Sequence, residues 1–392
     1  MRRNVRRVLA SIPLVLFFVF IAPSVANAQW IIFHEDADSL VRQGVHELFN
    51  LNYVTADSLF SEVITRYPRH PAGYFFSAMV DWWRIAVDPD TTAFDNTLTW
   101  KLRKTIAMSD TILDTDDVDL VALFFKGGAI GYLGELDAYR ERWVAAAEEG
   151  KRGLEILQRA QHLAPANYDI MLGEGLYDYY AVKIPEEYPF VKPFMLFFPA
   201  GDKQLGLQFL RASATKARYA NYEAMYQLLR IYSSYENNPA QALDLAWQLH
   251  VLFPNNVLFE RYLGRSYVQL NNRVQWDSVW RDVLMKCQLK KNGYSISAER
   301  EARYYLGWIA MDAGRYDEAL SSFYICDSLS RALDTDGPSG FMILTNLKIG
   351  MIDDLQNKRP YALTQYDKIL SWTDYENAHA LAKLYKEHPY GK

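Results

Sequence analysis

The chain has 392 residues, of which 50% are hydrophobic and 23% are charged, with 42 basic and 47 acidic residues. This composition excludes a disordered chain, which would be poorer in apolar residues and higher in net charge. The net charge of −5 argues against nucleic acid as a partner, because phosphate binding needs a basic surface.

The N-terminus has the three parts of a secretion signal. Four arginines lie within the first seven residues, an apolar run covers residues 8–22, and Ala26-Asn27-Ala28 forms a small-x-small cleavage site. We therefore expect residues 1–28 to be removed and the mature chain, starting at Gln29, to be periplasmic, surface-bound or secreted. The alternative is an uncleaved anchor, although a bilayer requires roughly 20 apolar residues. The lack of an Asn-x-Ser/Thr sequon favours a bacterial source.

The clearest internal repeat lies near the C-terminus. Residues 305–308 read Y-L-G-W, residues 314–320 read G-R-Y-D-E-A-L, and Phe323 follows. Gly307 would let two helices approach closely, and Gly314 would end the first of them. This unit resembles the tetratricopeptide repeat (TPR), whose signature is W-x2-L-G-x2-Y…A-x3-F…P.

The spacing of this unit recurs elsewhere in the chain. A glycine is followed by an alanine 12 residues later and an aromatic residue four residues after that, in Gly44/Ala56/Phe60, Gly307/Ala319/Phe323 and Gly350/Ala362/Tyr366. Gly264, Gly307 and Gly350 are separated by 43 residues twice, which exceeds the usual 34 and predicts longer helices or loops.

These repeats predict an all-α fold, a TPR-like solenoid of helical hairpins in a single domain over residues 29–392. About eight hairpins are expected: regular ones over residues 36–68 and 219–374, irregular ones with long insertions over residues 69–218, and a capping helix over residues 375–386. The TPR resemblance implies a right-handed superhelix whose inner face, built mostly from first helices, binds a peptide or protein segment.

Motifs that would indicate catalysis, a cofactor or a metal are incomplete. Residues 213–216 read S-A-T-K, without the companion elements of penicillin-binding enzymes. The acidic residues 114–119 lack the glycine and glutamate of a calcium loop, so we interpret them as helix caps. The glycines of residues 127–134 have neither a preceding strand nor a following Lys-Ser/Thr, and no zinc-type Cys/His set is present. We predict a protein that is not an enzyme and needs no cofactor or metal.

Residues 184–199 form the most unusual segment, because four prolines interrupt an apolar sequence that includes Phe194 and Phe197. An exposed apolar loop is unfavourable, so one interpretation is that the segment folds back and fills the superhelix. The other is that it grips a partner or makes a peripheral contact with a membrane surface.

The TPR register places several side chains on the inner face. Arg261 and Arg265 lie four residues apart on one first helix, and Tyr304 and Trp308 take the corresponding positions in the next repeat. Two arginines beside two aromatic rings could clamp a carboxylate-bearing chain end or an acidic peptide; alternatively, they pair with acidic residues of the chain itself. Earlier residues expected on the same face are Glu174, Tyr177 and Gln227.

These observations favour a non-catalytic scaffold or adaptor that binds protein or peptide segments in the cell envelope. The alternative is a binding protein for a small molecule or glycan with an aromatic-rich concave groove. Cys287 and Cys326 could form a disulfide or remain two small core residues. The partner's identity and the oligomeric state are not determined by the sequence.

Overall fold

The computed structural model describes residues 35–195 and 198–391, and of Phe194 the backbone alone. The predicted signal segment, residues 1–28, lies outside this part of the chain. All longer regular elements within it are α-helices. They are α1 (Glu35–Phe49), α2 (Tyr53–Arg66), α3 (Ala72–Val87), α4 (Asp95–Leu113), α5 (Leu120–Tyr139), α6 (Trp143–Leu163), α7 (Met171–Glu187), α8 (Lys192–Met195), α9 (Lys203–Lys216), α10 (Asn221–Ser234), α11 (Pro239–Leu252), α12 (Val257–Gln269), α13 (Arg273–Gln288), α14 (Ile296–Asp312), α15 (Tyr316–Leu333), α16 (Gly340–Leu355), α17 (Arg359–Leu370) and α18 (Ala378–Glu387).

Helices that follow one another pack as hairpins. Within the described residues the pairs are α1/α2, α3/α4, α5/α6, α7/α9, α10/α11, α12/α13, α14/α15 and α16/α17, and α18 packs on the last pair. First helices of neighbouring hairpins also contact one another, as α1 does with α3 and α14 with α16. They form the inner layer of a solenoid, and the second helices form the outer layer. The predicted all-α, TPR-like hairpin solenoid is confirmed.

Glycine opposite an aromatic ring sets the close approach of the two helices in a hairpin. A Cβ atom on Gly264 would lie 2.6 Å from the fully buried ring of Trp280, closer than two carbon atoms can pack. The glycine therefore leaves the space that the ring occupies. The same contact joins Gly44 to Phe60, Gly307 to Phe323, and Gly350 to Tyr366.

Side-chain caps start several helices where the sequence places a short polar residue. Asp119, from the acidic run 114–119, accepts a hydrogen bond of 2.7 Å from the Ala122 amide at the start of α5. Asp202 accepts from two amides at the start of α9. These carboxylates satisfy amides that have no partner inside the helix, as the interpretation of the acidic run as helix caps expects.

The first hairpin packs against three loops from much later in the chain, those that precede α10, α12 and α14. We call this contact the seam. Arg218 donates to Asp38 at 2.6 Å, the side-chain amide of Asn256 to the Phe49 carbonyl at 2.7 Å, and that of Asn292 to the Leu51 carbonyl at 2.7 Å. The seam folds the solenoid back on itself, so that hairpin one covers hairpins five and six and reaches the loop before hairpin seven.

Aromatic rings fill the space that the seam encloses. The ring centroid of Trp83 lies 5.1 Å from that of Tyr226 and 6.0 Å from that of Phe259. Beside these rings Arg230 donates to Glu135 at 3.2 Å, between α10 and α5. In the described residues of the first six hairpins, the inner layer is therefore a packed core and not an open groove.

The last helices have cores of their own. One cluster around Phe323 joins α14, α15 and α16, and another around Tyr366 joins α16, α17 and α18. The main contacts of α16 are with its neighbours α14, α15, α17 and α18. The inner face of α14 and α16 thus lies beyond the part of the solenoid that hairpin one covers.

Candidate functional site

The two arginines expected to clamp a partner bind an acidic residue of the chain itself. Arg261 Nε donates to Glu301 Oε2 at 2.6 Å, Arg265 Nη2 donates to the same oxygen at 2.8 Å, and Arg265 Nε donates to Oε1. Burial by itself would raise the pKa of the fully buried Glu301, but the charges of Arg261 and Arg265 outweigh it and lower the pKa to about 2. The expected clamp is therefore corrected: Glu301 occupies it, as in the alternative of internal pairing.

Trp308 and Lys348 lie together on the inner face of α14 and α16, and Lys348 was not among the predicted site residues. The Trp308 ring packs edge-on against Trp276 at 5.3 Å between centroids, and Lys348 Nζ lies 3.9 Å above the Trp308 ring. Both Trp308 and Lys348 are half-buried. An ammonium at this distance over an indole is held by a cation–π interaction. We call Trp308, Lys348 and their surroundings on α14 and α16 the C-terminal face.

The Lys348 ammonium has no ion pair or hydrogen bond with a described residue. Burial lowers the pKa of Lys348 to about 8, and the charge of Asp312 acts in the opposite direction. The Asp312 carboxylate is itself paired with Arg273, 2.9 Å away. Lys348 therefore remains mostly charged at neutral pH, and three donors without an acceptor can bind a carboxylate or carbonyl oxygen.

Lys348 was not predicted as a site residue, although the repeat register contains a signal for it. Tyr262, Tyr305 and Lys348 each lie two residues before a glycine of the 43-residue series. The two tyrosines pack with neighbouring aromatic side chains, Tyr305 for instance stacking 4.7 Å from Trp280. In the third repeat the same position holds Lys348, so a comparison of the repeats could have identified this lysine as exceptional.

Two other inner-face candidates, Tyr304 beneath this face and Gln227 away from it, are buried within the chain. Tyr304 is buried among Trp308, Phe323 and Phe341. Gln227 is buried and donates to Glu223 at 2.8 Å inside the aromatic core that the seam encloses, which we call the seam core. In the described structure these two residues contribute to packing and not to a surface.

Glu174 and Tyr177 lie on α7, far from Trp308 along the solenoid. Tyr177 donates to the Pro199 carbonyl at 2.7 Å and so holds the end of the insertion. Glu174 Oε2 is buried without a hydrogen-bond partner, and burial raises the pKa of its carboxyl group, with the Asp178 charge adding to the effect. These residues do not combine with Arg261, Arg265 and Trp308 into one site.

The described part of segment 184–199 lies outside the seam core, and the interpretation that the apolar run of the segment fills the superhelix stays a prediction. α7 continues through Pro185 to Glu187, and the chain then turns over Trp143 at the start of α6. The rings of Tyr188 and Phe190 lie 6.2 and 6.3 Å from that of Trp143. All three rings are more than 40% exposed. The Phe194 side chain and Phe197 lie outside the described residues, and membrane contact stays a prediction.

The described residues show no set of metal ligands and no helix that is both long and apolar enough to span a bilayer. Both cysteines are free and buried, and no disulfide joins them. Burial raises the pKa of Cys287 to about 12 and that of Cys326 to about 11, so neither thiol is an activated nucleophile.

No protein-family model and no curated protein matches the chain. Solved TPR structures do match. The C-terminal part of a TPR repeat-containing protein from Cytophaga hutchinsonii is 14% identical and covers 75% of this chain and 98% of its own, with a TM-score of 0.36. Yeast Tom70 is 9% identical over 91% of this chain and 89% of its own (TM-score 0.36). A human IFIT1 dimer with m7Gppp-AAAA is 13% identical over 90% and 85% (TM-score 0.40).

Proposed function

We propose that the protein is an exported, non-catalytic TPR-type scaffold that binds a protein segment through the C-terminal face. One observation carries this proposal. The inner layer of the first six hairpins is filled by the chain's own aromatic rings, whereas the C-terminal face keeps a half-buried Trp308 and an unpaired Lys348.

The chemistry of this face favours a segment with an accessible oxygen acceptor beside an apolar group. A charged amine removed from water without a counterion is unfavourable, and a carboxylate or backbone carbonyl of a partner would relieve that cost. Phe341 and Leu344, also half-buried on α16, supply apolar area next to Lys348. A rigid aromatic ring beside a desolvated charge is the type of anchor that dominates protein interfaces.

The choice of a protein over a nucleic acid rests on charge. Human IFIT1 was solved with m7Gppp-AAAA, but the present chain carries a net charge of −5. A nucleic-acid surface needs several basic side chains, and the two inner-face arginines Arg261 and Arg265 are engaged in ion pairs with Glu301. Export is supported by the sequence of residues 1–28 alone.

The proposal is tested by affinity recovery from envelope extract with the chain from Gln29 to Lys392. Lys348→Gln is expected to lower recovery of the specific partner by about tenfold or more, because it removes the charge and leaves a polar side chain that is one atom shorter. A matched control is Lys383→Gln, which changes an exposed lysine on α18. The partner identified with the parent chain is then purified, and its Kd is measured with both variants.

The Lys348 variant also separates binding from folding. Because burial lowers the pKa of Lys348, its charge does not stabilise the fold, and Lys348→Gln should keep the parent's thermal midpoint or raise it. Equal partner affinity for the parent, Lys348→Gln and Lys383→Gln would refute the C-terminal face as the binding site.

A further inference from the structure

A second concave surface, distinct from the C-terminal face, opens along the seam. It is a groove of about 650 Å³ between the turn before α2, the loop after α3 and the loop before α14. Leu51, Val54, Val87 and Phe94 line it with apolar side chains, and Arg84 lies among them. This volume falls in the range of roughly 300–1,000 Å³ that is typical of small-molecule sites.

Arg84 lies near two aromatic rings in this groove and has no hydrogen-bond acceptor among the described residues. Its guanidinium carbon lies 5.1 Å from the ring centroid of Tyr53 and 4.9 Å from that of Phe94. Arg84 Nη1 is 3.7 Å from an oxygen of Asp81, whose other oxygen is 2.8 Å from Lys101 Nζ. Both rings lie within cation–π distance of the guanidinium group, and its N–H groups, which have no acceptor at hydrogen-bond distance, can bind a planar carboxylate in the bidentate manner.

The start of α2 adds amide donors at the rim of the same groove. Asn52 precedes this helix but does not cap it, since its side chain donates to Glu47 at 2.6 Å instead. The first-turn residues Tyr53, Val54 and Thr55 line the groove, and their amides have no acceptor within the helix. Uncapped amides at a helix start favour an anion beside the arginine.

We propose that this seam groove binds a small monocarboxylic acid with an apolar body, a site that does not depend on the function proposed above. Arg84 binds the carboxylate, and the side chains of Leu51, Val54 and Val87 contact the apolar part. Asp88 also lines the groove and Asp81 lies beneath Arg84, so a second negative charge on the ligand is disfavoured. A phosphate dianion or a dicarboxylate therefore fits less well than a monoanion.

The bound acid would contact both sides of the seam. Asn292 and Gly293 line the groove from the loop before α14, and Asn292 donates to the Leu51 carbonyl at 2.7 Å. A ligand that binds only when the first hairpin is docked stabilises the docked state by mass action. Binding should therefore raise the thermal midpoint of the whole chain.

The test uses the chain from Gln29 to Lys392 with acetate, hexanoate, neutral hexanamide and inorganic phosphate as probes, each up to about 10 mM, which covers weak small-ligand affinities. Hexanoate is expected to raise the thermal midpoint with saturation, acetate to bind more weakly because it lacks the apolar body, and hexanamide and phosphate to have little effect. Equal shifts with hexanoate and hexanamide would overturn the role of the carboxylate.

Two variants and a control locate the site. Arg84→Gln should weaken hexanoate binding by about tenfold or more, and Val54→Glu should do the same by repulsion. Val54 is 82% exposed, so the glutamate leaves the core intact and keeps the test valid if Arg84→Gln folds poorly. Arg103→Gln, at an exposed arginine of α4, should bind as the parent does. No saturable shift with the parent chain would refute the site, and so would a shift in both Arg84→Gln and Val54→Glu as large as that of the parent.

Discussion

Replacement of Glu301 by glutamine removes the negative charge between Arg261 and Arg265 and keeps the shape of the side chain. Glu301 is fully buried, and its pKa is lowered from the ordinary 4.5 to about 2. That difference corresponds to about 3 kcal/mol of stabilisation at neutral pH. Because two partly buried guanidinium groups would lose their counterion, we expect Glu301→Gln to reduce the free energy of unfolding by about this amount.

The pH dependence distinguishes the charge from the packing. The folded-state pKa lies below the unfolded value, so the contribution is complete above about pH 4.5 and is lost as the pH falls towards 2. The difference between parent and Glu301→Gln should therefore fall from about 3 kcal/mol at pH 7 to roughly half of that at pH 3.

The assay is urea unfolding of residues 29–392 followed by circular dichroism at pH 7 and pH 3. Glu318→Gln is the matched control, because Glu318 is an exposed acid on α15 whose pairing with Arg315 should contribute less than about 1 kcal/mol. A loss with Glu301→Gln no larger than with Glu318→Gln, or a loss that is the same at both pH values, would contradict the reasoning.

Three other substitutions give effects of opposite sign. Gly264→Ala places a Cβ 2.6 Å from a buried tryptophan and should lower the stability measured by calorimetry by about 1–3 kcal/mol. The Cβ of Gly131→Ala meets no atom within 4 Å, and this substitution should raise the stability by about 1 kcal/mol. Equal gains for both would show that the helices are not in close contact at Gly264. Burial and the charge of Glu135 raise the pKa of Glu223 to about 7, so the chain loses stability as the pH rises from about 4.5 through 7. The free energy of unfolding of Glu223→Gln should exceed that of the parent by about 1–3 kcal/mol at pH 8 and by little at pH 5. Equal free energies of unfolding at pH 8 would refute this prediction.

Part of the candidate site was accessible from the repeat register. The TPR register predicts Trp308 on the inner face, at the position that corresponds to Arg265 in the preceding repeat, and its ring is half-buried in the structure. Lys348 could have been found in the same way, because it precedes Gly350 as Tyr305 precedes Gly307. The pairing of Arg261 and Arg265 with Glu301 could not be predicted from the sequence, since the register does not show which charges of neighbouring helices meet.

The sequence by itself determined the hairpin. A glycine on the first helix and an aromatic ring on the second are only 16 residues apart, as Gly307 and Phe323 are, so local spacing is enough to predict their contact. The tertiary structure alone decided the seam. Asp38 meets Arg218 only after four hairpins have each added a rotation to the solenoid, and irregular loops alter that rotation in ways that no local pattern records. For the same reason only the folded chain shows that the inner layer is filled near Trp83 and left free near Lys348.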